Sequence, residues 1–365
     1  ARGYNRTFFR GKQDEEGNRR FVEPMVLAIE ESNTINLEQL KYFGANLNEI
    51  EKSNAINQMQ GLLESLKDAK EYGSILAVDN YDWELLLEFV DSENTDGQIS
   101  FDTLGIELTQ SQMKRLICQG WIMSNKYCVV STNPPYMGIS NGNAKLNAFV
   151  KKNYLDSKAD LFAVFIERCG QMMKENGYQA MITQHAWMFL SSFEKLRSKL
   201  QMTDTVNMAH LGARAFEEIG GEVVQTTSFV MRKSHIAEYR GTYCRLIEPT
   251  TQKGKEEMYL AGEKRYTAAQ DNFTKIPGSP VAYWVSESIF SLFDYSEAFE
   301  NYGVLKVGIS TADNNRFVRL WHEVDAKKIH FPTIQPINNS IKKWFPFNNG
   351  GQTRRWYGNN FYLCG

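Results

Sequence analysis

The chain has 365 residues, 42% of them hydrophobic and 13% aromatic, and a net charge of −2. Such a composition excludes a disordered chain, and the absence of any run of about 18 apolar residues excludes a helical membrane span. Near-neutrality means that any nucleic-acid contact has to come from local patches, not from a globally basic surface.

The length suffices for two domains and at least one sizeable core. The opening "ARGYNRTFFRGK" carries arginines but no apolar stretch of the signal-peptide kind. It lacks methionine and reads as the end of a helix, so the chain is expected to be part of a longer one. Cys118, Cys128, Cys169, Cys244 and Cys364 are scattered without a CxxC pair, and the five histidines are equally dispersed. No metal site is expected, and a reducing, cytoplasmic setting is.

Residues 1–125 read as mainly helical. "NQMQGLLESLKDAKEYG" places Met59, Leu62, Leu63 and Leu66 at helical spacing, with Gly73 as a cap. "SILAVDNYDWELLLEF" predicts a short strand, an Asp-Asn turn and another helix, and "DSENTDGQIS" a solvated loop.

Residues 126–250 change character. "KYCVV" predicts a strand. "DLFAVFIERCGQMMKENG" predicts a helix with Leu161, Phe165, Cys169 and Met172 on one face and Gly177 after it, and "YQAMIT" the next strand. "SSFEKLRSKL" has Ser191 and Glu194 at capping-box spacing, and "TVNMAHL" and "EVVQTTSFVM" predict two more strands. Strands alternating with helices predict an α/β fold with a doubly wound sheet. From 251 to 365 the alternation is expected to fade into a polar linker and then an aromatic-rich second module.

The strand "KYCVV" runs into "STNPPY", where two prolines remove the N–H groups that a ladder would need. Ligands of open α/β sheets bind beyond the carboxyl ends of strands, and Asn133, Pro134, Pro135 and Tyr136 follow such an end directly. The Asn133 side-chain carbonyl and the Pro134 main-chain carbonyl are two acceptors held by rigid neighbours, a pair suited to an –NH₂ group. Tyr136 offers a ring on which a planar base or amide can stack. Fixed acceptors and orientation, with no strong general base, would provide most of the acceleration.

These residues resemble the fourth motif, [DNS]PP[YFW], of the γ-type adenine-N6 DNA methyltransferases. "DLFAVFIERC…AWMFLSSFEKLRSKL" and "LGARAFEEIGGEVVQTTSFVMRKS" resemble the motifs that follow in that family. Together with "STADNNRFVRLWHEV" and "KWFPFNNGGQTRRWYGNN", the chain resembles the large single-chain methyltransferases of BREX phage-defence systems (the PglX type) and the related type IIG restriction–modification enzymes. The resemblance implies a class I (Rossmann-like) sheet, incomplete at its N-terminal side, with an inserted helical region and the start of a C-terminal target-recognition domain.

It further implies methyl transfer from S-adenosylmethionine to N6 of an adenine flipped out of double-stranded DNA. Asn133 and Pro134 would accept from N6, Tyr136 would stack and Pro135 would fix the loop. Other subunits of a defence system are further expected partners; a membrane is not. The Gly-rich "DPACGSG"-like turn of the family is absent, so the main cofactor loop is expected upstream of residue 1 and the chain alone is expected to be inactive. Asp79 is the candidate third-motif acid, with Asp82 as substitute, though an Asp-Asn turn connecting strand to helix explains Asp79 equally.

Lys342, Lys343, Arg354 and Arg355, interleaved with Trp344, Phe345, Phe347, Trp356 and Tyr357, are candidate DNA contacts; an aromatic core with a solvated rim is the alternative. Asn314, Asn315 and Arg316 suit base contacts or simple turn chemistry. Phe229 is expected to be a buried strand residue, and His185, just past a strand, a packing residue. Two other functions fit: methylation of a protein glutamine amide, or a non-catalytic DNA-binding fragment.

Overall fold

The computed structural model describes residues 25–91, 101–216, 224–304, 310–331, 342–351, 353–355 and 358–365, with backbone only at 101–104. The expected readings at residues 1–10, 92–100, Trp356 and Tyr357 lie outside these. Contacts divide the chain into two units, Ala1–Tyr295 and Ser296–Gly365.

The helical layer forms where the apolar spacing predicts it. α1 (Glu49–Ser65) starts on a capping box made by Asn48 and Glu51, and buries Ala55, Met59, Leu62 and Leu63. Leu66 ends it, and α2 (Ala69–Tyr72) closes on Gly73 at φ 60°. The strand expected over "SILAV" is not there. Gly73–Ile75 is a 3₁₀ turn, and the following residues run to α3 (Trp83–Asp91) without a ladder partner. Leu76 and Val78 are nonetheless buried, because they pack among the helices. α4 (Phe101–Ser124) lies so close to α1 that a Cβ on Gly120 would meet Leu62 at 2.6 Å.

The sheet begins with β1 (Tyr127–Thr132). After α5 (Ala144–Asn153) and α6 (Leu161–Met172) comes β2 (Met173–Gln184), so Gly177 falls inside a strand and not after a helix. A 3₁₀ turn at Ser191–Phe193 leads into α7 (Glu194–Leu200), and no side chain caps either start, so the expected capping box does not form. β3 (Asp204–Gly212), β4 (Thr226–Arg232) and β5 (Arg240–Arg245) follow. The stretch read as a linker instead carries α8 (Gln252–Ala261) and β6 (Arg265–Ala269), which extend the sheet, and then α9 (Glu287–Tyr295). Thr251 caps α8 and Gly262 ends it in the left-handed region, turn chemistry that polar composition alone conceals.

The strand order is β1-β2-β4-β3-β5-β6. β1, β2, β3 and β5 run in one direction, while β4 and β6 oppose them. β1 is an edge strand, with Val129 61% exposed. α6 ties sheet and helices together: Phe162, Ala163 and Ile166 join the sheet core, while Leu161 and Val164 join a cluster with Ile75 and Val150. The buried Arg168 of α6 donates to the Met123 carbonyl (2.9 Å) and the Ser74 carbonyl (3.5 Å). The single-face expectation for this helix was too narrow, because both its faces are covered.

The second unit holds α10 (Asn314–Phe317) and a sheet of β7 (Val318–Leu320), β8 (Phe345–Phe347) and β9 (Tyr362–Cys364), in the order β7-β9-β8. Leu363 and Ile329 are buried within it. Among the described residues of the chain, no helix is long and apolar enough to cross a membrane.

Candidate active site

β1 stops at Thr132, and Asn133 to Tyr136 lie immediately past its carboxyl end. Pro134 is buried, Asn133 and Pro135 are exposed, and Tyr136 is half-buried. The prolines bring no N–H, so the first half of the loop presents acceptors. The Pro134 carbonyl and the Asn133 amide nitrogen have no hydrogen-bond partner among the described residues. Asn133 Oδ1 receives the Tyr136 hydroxyl at 3.4 Å, a long bond that a better-placed donor can displace. The Tyr136 ring stands edge-on to Phe162, with centroids 6.4 Å apart at 88°. Burial pushes the Tyr136 phenol up to about 12, so it stays neutral at physiological pH.

A carboxylate organises this loop. Asp160 Oδ1 accepts from the Met137 N–H (3.1 Å) and from the Phe162 N–H (3.2 Å), which makes it the N-cap of α6 as well. Leu161 N–H donates to the Met137 carbonyl at 3.0 Å and Ile139 N–H to the Ala159 carbonyl at 3.2 Å. The residues after Tyr136 are thus laced to the start of α6, the helix whose Phe162 meets the Tyr136 ring. Burial raises the Asp160 pKa, with the backbone N–H bonds opposing it. Sequence reading passed over Asp160, although Asp before "LFAVFIERC" is an N-cap signal. Replacing Asp160 by Ala is expected to slow any chemistry at the loop about tenfold while costing about 1 kcal/mol of stability, the usual worth of an N-cap. Asp160→Asn keeps the acceptor and should stay near the parent in both turnover and melting; equal losses in the two variants would contradict the clamp.

A polar chain crosses the core beside the same edge. His185 is the first residue past β2, and its Nδ1 lies 2.7 Å from His210 Nε2. His210 Nδ1 in turn lies 3.0 Å from the Tyr283 hydroxyl, and His210 is buried. Burial, with His185, Arg245 and Lys255 nearby, depresses the His210 pKa to about 4. The unfolded chain therefore binds a proton below its ordinary 6.5 that folded His210 refuses until about 4. Stability is fully present above pH 6.5 and declines as the pH falls toward 4, by up to about 3 kcal/mol in this interval. Urea midpoints at pH 7 and 4.5 test this. A His210→Gln variant should show a shallower decline, and an unchanged slope would count against His210 as its source.

The remaining sequence candidates fall elsewhere. Asp79 is exposed, and its side chain bonds to nothing among the described residues. Asp82 caps α3 through the Leu85 N–H (3.1 Å), so turn and cap chemistry accounts for it. Neither is brought into contact with Asn133 or Tyr136. Phe229 is buried edge-to-face on Trp187 at 5.4 Å, in the core as expected, with Met231 beside it. Lys342, Lys343, Arg354 and Arg355 are exposed on the second unit, Lys343 lying 5.6 Å from the Trp344 ring. Asp313 caps α10 through the Arg316 N–H at 3.1 Å, and Asn314 accepts from the Thr311 hydroxyl, so turn chemistry accounts for both. Among the described residues there is no cluster of metal-ligating side chains.

A family model described as the Eco57I restriction-modification methylase matches residues 30–215, which hold the helical layer, β1, the Asn133–Tyr136 loop and α6. The chain belongs to that methylase family. Among curated relatives, the adenine-specific methyltransferase PglX of Lacticaseibacillus casei (strain Zhang) is 44% identical over 303 residues, covering 80% of this chain and 25% of the relative. The adenine-specific methyltransferase BrxX of Escherichia coli O9:H4 (strain HS) is 36% identical over 300 residues, covering 81% and 24%. The chain thus spans about a quarter of the length of the curated relatives it matches. A solved DrdV–DNA complex is also similar, at 15% identity and a TM-score of 0.35, over 50% of this chain and 20% of that one. Asn133 to Tyr136 lie within the matched region, beyond the end of the edge strand β1.

Proposed function

We propose that this methylase chain carries the amine-binding half of an adenine-specific DNA methyltransferase, acting on N6 of a flipped adenine in phage defence of the BREX or restriction–modification type. The observation that carries the reading is the pair of acceptors, Asn133 Oδ1 held only by the long Tyr136 contact and the Pro134 carbonyl unpartnered among the described residues, beside a neutral Tyr136 ring. The curated relatives' names support adenine as the acceptor.

The acceptors take the two hydrogens of the 6-amino group, Asn133 exchanging the distant Tyr136 hydroxyl for the better-placed donor. Bonds to both hydrogens favour a pyramidal nitrogen and turn its lone pair out of conjugation with the ring. Tyr136 stacks on the base and, held through Phe162 and the Asp160 clamp, limits its tilt. S-adenosylmethionine would supply an electrophilic methyl. The loop itself fits the amine and not the cofactor's carboxylate, since two of its four residues lack the N–H that would bind an anion. Asp79 remains the candidate in this chain for contact with the cofactor, and the exposed lysines and arginines of the second unit for contact with DNA phosphates.

Expression of the full-length protein, with any partner subunits, in a host lacking adenine methylation tests the proposal. Single-molecule sequencing should show N6-methyladenine at one short recognition site. Unmodified adenine, or modification at cytosine only, would refute it.

A further inference from the structure

The histidine pair and Tyr283 form a polar chain in an aromatic part of the core, and nothing in the amine chemistry above uses it. Phe189 packs against both imidazoles, at 5.6 Å from His185 and 5.9 Å from His210, and Tyr283 lies flat on Tyr243 at 4.9 Å. The hydrogen-bond directions follow from elimination. Burial raises the Tyr283 pKa, so its hydroxyl keeps its proton, and His210 Nδ1 is its hydrogen-bond partner. If His210 donated to it, the buried hydroxyl proton would have no acceptor among the described residues, an unfavourable arrangement. Tyr283 therefore donates to His210 Nδ1. His210 is then protonated on Nε2 and donates to His185 Nδ1, which leaves the remaining proton of His185 on Nε2.

That Nε2–H has no partner among the described residues, and the ring is only half-buried. β1 and β2 are neighbouring parallel strands with Thr132 opposite Met181, so His185 stands at the same carboxyl edge as Asn133. Burial keeps both imidazoles uncharged, with the cationic Arg245 and Lys255 adding to it at His210, and Glu248 is engaged with Arg245 at 3.8 Å. A neutral donor framed by aromatic rings suits a neutral acceptor; a phosphate would favour a cation at this place.

We infer that Tyr283 and His210 are positioning residues that hold His185 as a fixed N–H donor, and that this N–H reads a ring nitrogen of the flipped base, N1 or N7. The inference rests on the adenine-methyltransferase reading. It adds a substrate-contacting residue outside the Asn133–Tyr136 loop, one that would check the identity of the base while the loop holds its amine.

The test uses the full-length protein and duplexes carrying its methylated site, with the target adenine replaced by 1-deazaadenine or 7-deazaadenine. In the parent protein one analogue should lose about tenfold in kcat/KM relative to adenine, the cost of one hydrogen bond, while the other identifies the unread nitrogen. In His185→Ala that penalty should vanish, because the donor is gone; comparing the two proteins cancels the intrinsic reactivity of the analogue. His185→Gln, which keeps an N–H donor, should retain part of it. Tyr283→Phe, with its melting temperature checked against the parent, should shrink the penalty by freeing the His210 tautomer. Identical analogue penalties in the parent and His185→Ala, or none in the parent, would overturn the inference while leaving the function intact. A parent protein that methylates no adenine would overturn both.

Discussion

Replacing Asn133 by Ala is expected to lower adenine methylation by about a hundred- to a thousandfold, the range seen when one preorganised polar partner of a transition state is deleted. The structure makes this a clean experiment. Asn133 is exposed and its one side-chain bond is the long contact from Tyr136, so the substitution should leave folding unchanged. What is lost is an acceptor that strengthens its hold as the amine becomes pyramidal, an effect on kcat more than on KM. DNA binding, followed by fluorescence anisotropy, should survive within about threefold, since one exposed amide contributes little to an interface governed by phosphate contacts. Asn133→Asp offers the complementary result. A carboxylate retains the acceptor and lacks only the amide donor, which has no partner here, so much of the activity should persist. Undiminished N6-methyladenine in the alanine variant would remove Asn133 from the chemistry.

How much of this was legible in the residues depends on the range of the interactions. β1, its proline-blocked end, α6, β2 and β4 were readable because local periodicity and the missing N–H groups of Pro134 and Pro135 act within a few residues. The run "SILAV" misled for the opposite reason. Its apolar character expresses burial, and burial among α1, α3 and α4 satisfies it without any ladder. α8 and β6 were missed because their exposed faces are polar, and the residues that cover the rest come from other elements. The clamp at Asp160 was within reach, being an N-cap signal, but its second bond to Met137 spans 23 positions and appears only in three dimensions. The chain from His185 to Tyr283 joins positions 25 and 73 apart, so a lone histidine in "TQHAW" gave no sign of it.

Arg197→Met is expected to lower stability by about 3 kcal/mol or more, the largest structural effect of a single substitution away from the acceptor loop. Arg197 is 3% exposed and directs its whole guanidinium at backbone carbonyls. Nε and Nη2 reach the Gly278 carbonyl at 2.9 and 2.6 Å, and Nη1 reaches those of Trp187 and Leu190 at 2.9 and 2.7 Å. Methionine would replace most of the apolar stem, so the cavity cost is small and the loss is nearly all polar. Three carbonyls would lose a charged donor at about 1–3 kcal/mol each, with the total moderated where the loop at Leu190 can turn to water. For a chain of this size the melting temperature should fall by about 4 °C. Arg197→Lys, with one nitrogen to share among three carbonyls, should recover only part of it. The substitution also bears on the site, because Trp187 lies in the turn that His185 begins and Leu190 follows two residues after that turn. Releasing that turn should therefore reduce activity even at temperatures where the variant is folded. A melt within about a degree of the parent would mean that these carbonyls find other partners, and that the turn holding His185 does not depend on the arginine.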